Sequence, residues 1–262
     1  MNIFNLVPHP IYPSEYNICS NTGVCFYIKA KQREYSSSYF MEEFKNQYNK
    51  TYYEDESNLR NLAKIRLSIL TKYIRPYNKK ILEIGCAAGF FLSEAKKVGF
   101  LEKGIEISET ESNYAKENLK LNVDCISFLE FDSKEKFDVI SAFFVIEHFS
   151  DQEKIFNKIF SLLNEGGFIF LALPSLNGPT YQTNPKEWFD THPSDHFVDY
   201  SDTSLEKVLN NFNTKIIFRS PMSYHSQRDL GWRGKFSNKI IYKVLANISC
   251  YGDTIQVLAI KK

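Results

Sequence analysis

From residue 80 to residue 173, short apolar runs of strand length alternate with stretches of helical spacing, and no other feature limits the fold as much. The patterns predict strands over 80–84, 103–107, 125–131, 137–143 and 167–173, interleaved with helices over 89–98, 109–119 and 152–163. Strands separated by helices connect through right-handed crossovers, so the expected fold is α/β, a mostly parallel sheet with helices on both faces. At 164–167 the chain reads "NEGG", where glycine supplies the positive φ that stops a helix before the sheet resumes. A chain of 262 residues, 43% of them hydrophobic, is long enough to bury one such core.

The flanks read differently. Leu59, Leu62, Ala63, Arg66, Ile69, Leu70 and Tyr73 recur at helical spacing behind Asp55 or Ser57, and the pattern stops before Pro76. "YFMEEFKNQY", from Tyr39 to Tyr48, reads as a shorter helix, so 1–75 is expected to be an arm with helices that cap the domain over 76–262. After Pro174 a polar, proline-marked stretch predicts a lid loop over 175–200. A helix over 204–209, a strand over 214–218, an insertion over 220–253 and a last strand over 254–261 complete the chain.

A formal net charge of +1 with 24% charged residues gives no field for polyanions, which argues against nucleic acid and acidic membrane surfaces and for a small-molecule partner. Cys19, Cys25, Cys86, Cys125 and Cys250 form no even framework. Cys19 and Cys25 are spaced too widely for a zinc pair, and no second pair follows. Without a charged apolar leader or a run long enough to span a bilayer, the expectation is a cytoplasmic protein, monomer or homodimer, that does not engage a membrane.

"ILEIGCAAGFFL", Ile81 to Leu92, holds the first chemical signal. Gly85 and Gly89, with Cys86, Ala87 and Ala88 between them, let a bound molecule approach the backbone closely, and the next helix turns its N-terminal amides toward it. In an open parallel sheet, ligands sit outside the carboxyl ends of the strands, where this turn lies. Glu106, about twenty residues on, ends the next strand and can accept hydrogen bonds from both hydroxyls of a ribose. A nicotinamide-dependent dehydrogenase would read the same to this point. The turn is not G-x-G-x-x-G, however, and Glu83 just before it suits a cationic amino group or sulfonium better than a pyrophosphate, which it would repel.

"LEIGCAAGFF", "GIEIS", "FDVISAFFVIEHFSD" and "LLNEGGFIFLALPS" stand in the order and spacing of class I S-adenosylmethionine-dependent methyltransferases. Over roughly residues 80 to 175 the chain resembles the branch containing the ubiquinone-biosynthesis O-methyltransferases. The resemblance implies a Rossmann-like, mostly parallel seven-stranded sheet whose last strand, here 254–261, inserts antiparallel beside its predecessor, and S-adenosyl-L-methionine as cofactor. It places Glu83 near the methionine moiety, Gly85, Cys86, Ala87 and Gly89 beneath it, Glu106 and the adjoining Ile107 at the ribose, Phe128 and Leu129 at the adenine, and the Phe143 backbone at a strand end. Ala87 stands where many members have glycine, and its methyl narrows the approach. "FLEFDSKEK" lacks the acidic residue and apolar pair often found against adenine.

Transfer of a methyl group from a sulfonium gains mainly from alignment and water exclusion, and needs a base only when the acceptor is a hydroxyl or protonated amine. His148 and His196 are the candidate catalytic residues. His148 could equally be a structural cap at the strand-to-helix turn. His192 and His196, with Asp195, could form a substrate wall, a solvated loop or, if helical, a metal site; three groups without a fourth partner favour no metal. Tyr48, Tyr52 or Tyr53 could cover the cleft or simply pack, with Tyr52 kept as a substrate contact. "RDLGWRGKFSNKIIYK" could bind a phosphate or a partner, or be a solvated amphipathic helix. The expected function is methyl transfer to a small molecule, oxygen first, with a glycan or secondary-metabolite precursor as acceptor. The alternatives are an NAD-dependent oxidoreductase and a non-catalytic S-adenosylmethionine-binding module.

Overall fold

The computed structural model describes residues 3–32, 49–235 and 238–262. The short helix expected at Tyr39 to Tyr48, and Tyr48 as a lid, lie outside them. The chain divides into two compact units, one of Met1–Gln32, Phe143–Phe160 and Ile169–Lys262, the other of Arg33–Ala142 and Ser161–Phe168.

The N-terminus corrects the sequence reading, because the expected helical cap is replaced by a small antiparallel sheet. Strands β1 (Leu6–Pro8), β2 (Tyr16–Cys19) and β3 (Cys25–Tyr27) pair in order, and Val198–Asp199 adds the fourth strand beside β3. Runs of three or four residues are too short to display a period of two, and the last partner of β3 lies far along the chain. Burial holds the sheet: Tyr16, Cys19, Val24 and Cys25 are buried, and Tyr12, Tyr27, Tyr181, Trp188 and Phe189 pack around Tyr16, Cys25 and Leu176.

Helix α1 (Glu56–Leu70) starts behind Asp55 and buries Ala63, Arg66, Ile69 and Leu70 of the predicted face together with Leu67, while Leu59 and Leu62 are half-buried and Tyr73, past its end, is exposed. Then follow β4 (Lys80–Ile84), α2 (Phe90–Lys97), β5 (Leu101–Glu106), α3 (Glu109–Glu117), β6 (Val123–Cys125) and β7 (Phe137–Phe143). β4 pairs parallel with β5 and β7, and β5 with β6. β6 is shorter than expected because the chain turns at Ser127, whose Oγ accepts from the Leu129 N–H at 3.3 Å and whose carbonyl accepts from Glu130 and Phe131.

A 3-10 turn at Ile146–His148 leads to α4 (Gln152–Leu162) and β8 (Leu163–Pro174), with Gly166 at φ +70° where the sequence calls for a positive angle. The expected lid loop contains α5 (Pro179–Thr183), α6 (Pro185–Thr191) and the short strand β9 (Val198–Asp199). Proline opens both helices, where its missing N–H costs nothing. α7 (Asp202–Asn210), β10 (Thr214–Pro221), α8 (Lys239–Ile248) and β11 (Thr254–Lys261) follow. The large sheet has seven strands in the order β10-β11-β8-β7-β4-β5-β6, with β11 antiparallel to β10. Its centre is apolar: Ile81, Leu82, Val139, Ile140 and the run from Ile169 to Leu173 are fully buried, each large side chain contributing about 1.5–3 kcal/mol. Among the described residues no helix is long and apolar enough to cross a membrane.

Candidate functional site

The turn after β4 takes three left-handed residues within five positions, Gly85 at φ +66°, Ala87 at +46° and Gly89 at +80°. A Cβ on Gly89 would come within 2.6 Å of Leu121 Cδ1 and 3.1 Å of Ala115 Cβ, so both angle and space demand glycine. Ala87 adopts the same region with a side chain, a conformation that costs an L-residue about 1–2 kcal/mol. The Gly85 and Cys86 N–H groups donate to the Ile105 carbonyl at 2.8 and 3.1 Å, which ties the turn to the end of β5.

Glu106, at that end of β5, fastens the turn. Its Oε2 accepts from the Ala87 N–H and its Oε1 from the Ser108 N–H, both at 2.8 Å. Burial raises its pKa, while these N–H groups hold it down. Glu83 is 4% exposed, and its Oε2 has no hydrogen-bond partner among the described residues. Burial pushes its pKa far up, against the pull of the Arg66 cation and a backbone hydrogen bond with Leu92, with Glu106 pushing it further up. Burial lowers Arg66 to about 10, opposed by Glu83 and Tyr52. Sequence reasoning counted Arg66 only as part of the buried face of α1. The signal was present, since an arginine in an apolar stripe needs a charged or polar partner.

Tyr52 stacks on Phe90 with centroids 5.5 Å apart, and burial together with the charges of Glu83, Glu106, Cys86 and Glu111 raises its pKa. Its phenol is within electrostatic reach of the carboxylates around the turn. Tyr53 donates to Glu111 Oε2 at 2.5 Å and packs on Tyr114. Phe128 is buried and Leu129 half-buried in the turn after β6, while Ile107 is exposed. Phe143 sets its ring edge-on to Phe170 at 5.4 Å.

A second cluster lies in the unit that contains the N-terminal sheet. Glu147 and His148 come from the 3-10 turn, and His192, Asp195, His196 and Asp199 from the segment around β9. His148 Nδ1 lies 3.1 Å from both Asp195 Oδ2 and the Asp195 carbonyl. The His148 and His196 rings meet edge to face at 4.7 Å. His192 Nε2 is 2.9 Å from Asp199 Oδ2, which also accepts from the Tyr16 hydroxyl at 2.5 Å. Glu147 is 1% exposed, and neither carboxyl oxygen has a hydrogen-bond partner among the described residues. Burial pushes its pKa up to about 7, with His148 opposing and Asp199 and Asp195 assisting. Burial works to lower His148, but Asp195 and Glu147 outweigh it and raise the pKa. Burial and the neighbouring His148 bring His196 down to about 3.

The three histidines proposed from sequence thus meet in one cluster, although His192 ends α6 and is not one helical turn from His196. Sequence reasoning gave no role to Glu147 or Asp199, which carry no motif of their own. Glu147, His148 and His196 each offer a ligand atom within 4.8 Å of the others, as do His192, His196 and Asp199, so either trio could hold a metal ion.

The family model described as "Methyltransferase domain" matches residues 51–217. The ubiquinone biosynthesis O-methyltransferase of Coxiella burnetii is 27% identical over 124 residues, 45% of this chain and 53% of the relative. The chain thus matches about half the length of that relative. Among solved structures, magnesium protoporphyrin IX methyltransferase from Synechocystis, with bound SAH, has a TM-score of 0.58 at 12% identity, covering 86% of this chain and 97% of that one. The plantazolicin methyltransferase BpumL, in complex with a monoazolic desmethylPZN analog and SAH, gives 0.55 at 17% identity, covering 84% and 88%.

Proposed function

The chain belongs to the methyltransferase-domain family, and from that premise we propose that it binds S-adenosyl-L-methionine and transfers the methyl group to a small-molecule acceptor, at oxygen first. The observation that carries the reading is Glu83, a buried carboxylate with one oxygen unanswered, electrostatically opposed to a buried arginine and followed by a turn of small residues. The amino-acid end of the donor carries an ammonium and a carboxylate, and Glu83 and Arg66 take one each. Glu106 retains a lone pair on each oxygen after its two backbone bonds, which suits two ribose hydroxyls. Gly85, Cys86, Ala87 and Gly89 form the floor, Ile107 adjoins the ribose, Phe128 and Leu129 flank the adenine, and the Phe143 backbone adds a contact. Tyr52, beside Glu83 and Glu106, contacts the acceptor.

When bound, the donor supplies a methyl group on a positively charged sulfur. The chain's own residues align the acceptor and exclude water. His148 is the proton acceptor: Asp195 fixes its Nδ1 and hence its tautomer, and its raised pKa makes it a better base than a free imidazole. His196 stays neutral and is too weak a base, so it and His192 serve as hydrogen-bonding walls. An oxygen acceptor agrees with the name of the Coxiella relative, and the polar segment around α5 and α6 agrees with a glycan or secondary-metabolite precursor.

Calorimetry on the full chain tests the reading. S-adenosylhomocysteine binds saturably, NADH does not, and Glu106→Lys weakens the former about tenfold or more, since one reversed charge at close range is worth over 1 kcal/mol. Saturable NADH binding without S-adenosylhomocysteine binding overturns the reading in favour of an oxidoreductase. Tight binding with no methylated product from any hydroxylated acceptor leaves a non-catalytic module.

A further inference from the structure

Helix α8 is turned inside out at its surface. Its buried side is Tyr242 and Ala246, which pack with Tyr251 and Tyr224. The opposite side, which on an ordinary surface helix is polar, carries Ile240, Val244 and Ile248 at intervals of four, with Ile241 beside them. All four are exposed, Ile240 at 72% and Ile248 at 79%. Leu230 and Trp232, just upstream, are exposed as well. From residue 230 to residue 252 the sequence has Arg233, Lys235, Lys239 and Lys243 and no aspartate or glutamate. The Arg233 guanidinium lies over the rings of Trp232 and Tyr251 at 4.8 and 4.3 Å, and Lys243 lies 5.3 Å from the Tyr224 ring.

We propose that this face docks on an anionic lipid surface, with Ile240, Val244, Ile248 and Trp232 entering the headgroup boundary and Lys235, Lys239 and Lys243 meeting acidic headgroups. An amphipathic helix with isoleucine and valine on its outer side, lysines but no acids along it, and an exposed tryptophan upstream has the composition of an interfacial anchor. Charge selects this occupant over a second copy of the chain, because a paired face would set one cationic rim against another. The feature lies outside residues 51–217, the span of the family match, and none of its residues is assigned to methyl transfer, so it stands independently of that reading. The global charge of +1 hides it, since the basic stretch is offset by acids elsewhere in the chain.

Co-sedimentation of the full chain with vesicles decides the matter, using phosphatidylcholine alone and phosphatidylcholine mixed with phosphatidylglycerol. The chain sediments with the mixed vesicles. Lys239→Glu with Lys243→Glu reduces the bound fraction about tenfold or more, and Ile240→Glu with Val244→Glu and Ile248→Glu abolishes binding. All three positions of the second set are exposed, and an unchanged circular dichroism spectrum shows that the variant is folded. Brominated lipid quenches part of the tryptophan emission, and Trp232→Phe removes that quenching. Equal sedimentation of wild type and both variants overturns the proposal. So does the absence of vesicle binding in a chain that light scattering shows to be a dimer, and that becomes monomeric on Ile240→Glu, because the face is then a self-interface.

Discussion

Glu147 illustrates how far one side chain can depart from what its sequence neighbours announce. Its pKa rises from 4.5 to about 7 on folding. A carboxyl raised in this way stabilises the fold fully below its unfolded pKa and loses that contribution as pH rises through about 7. His148, also raised, acts in the same direction above its unfolded 6.5. Glu147→Gln removes the carboxyl part, so relative to wild type the variant gains up to about 3 kcal/mol between about pH 4.5 and about pH 8. Urea unfolding at the two pH values measures the gap, and an unchanged gap contradicts the assignment. Ala87 gives a second test, because relief of its left-handed backbone exceeds the extra unfolded entropy of glycine. Ala87→Gly therefore stabilises by about 0.5–1 kcal/mol in a thermal melt. At this scale the placement of Glu83 and Glu106 near the ends of β4 and β5 was legible, because the strand patterns set them beside the turn. Glu147 was not, because what matters about it is a partner withheld by the fold, and Arg66, although signalled by its place in an apolar stripe, gains its partner Glu83 only through the fold.

Among the elements, β4, β5, β7 and β11 follow patterns long enough to read, and their bounds differ from expectation by no more than two residues. The N-terminal strands do not, since a three-residue strand gains its stability from a partner rather than from its own periodicity. What fixes that small sheet is a hydrogen-bonded knot. The Tyr16 hydroxyl donates to Asp199 in β9 and accepts from Trp188 Nε1 at 2.9 Å in α6. Tyr16→Phe leaves the Trp188 N–H without its acceptor and takes one donor from a buried carboxylate, so it costs about 1–3 kcal/mol in denaturant unfolding. A loss below the error of the measurement shows that the knot is incidental. The stretch expected as a loop holds two short helices instead, because Pro179 and Pro185 open them and Asn184 caps the second.

At the scale of the whole molecule, the glycine turn after β4 belongs to one compact unit and the histidine cluster to the other, while the amphipathic insertion lies between β10 and β11. The resemblance implied seven strands, and the alternation of strands and helices disclosed the parallel part of the sheet because each βα unit repeats the same burial logic. The sequence disclosed the small sheet and the histidine cluster less well because both depend on residues far apart in the chain. The account as a whole depends on Glu83 meeting the ammonium of the donor's amino-acid end. Calorimetric affinities of wild type and Glu83→Gln for S-adenosylhomocysteine and for 5′-methylthioadenosine, which lacks that end, test this directly. The account predicts that the substitution weakens S-adenosylhomocysteine about tenfold or more and leaves 5′-methylthioadenosine unchanged. Equal losses for both ligands, or none for either, contradict it.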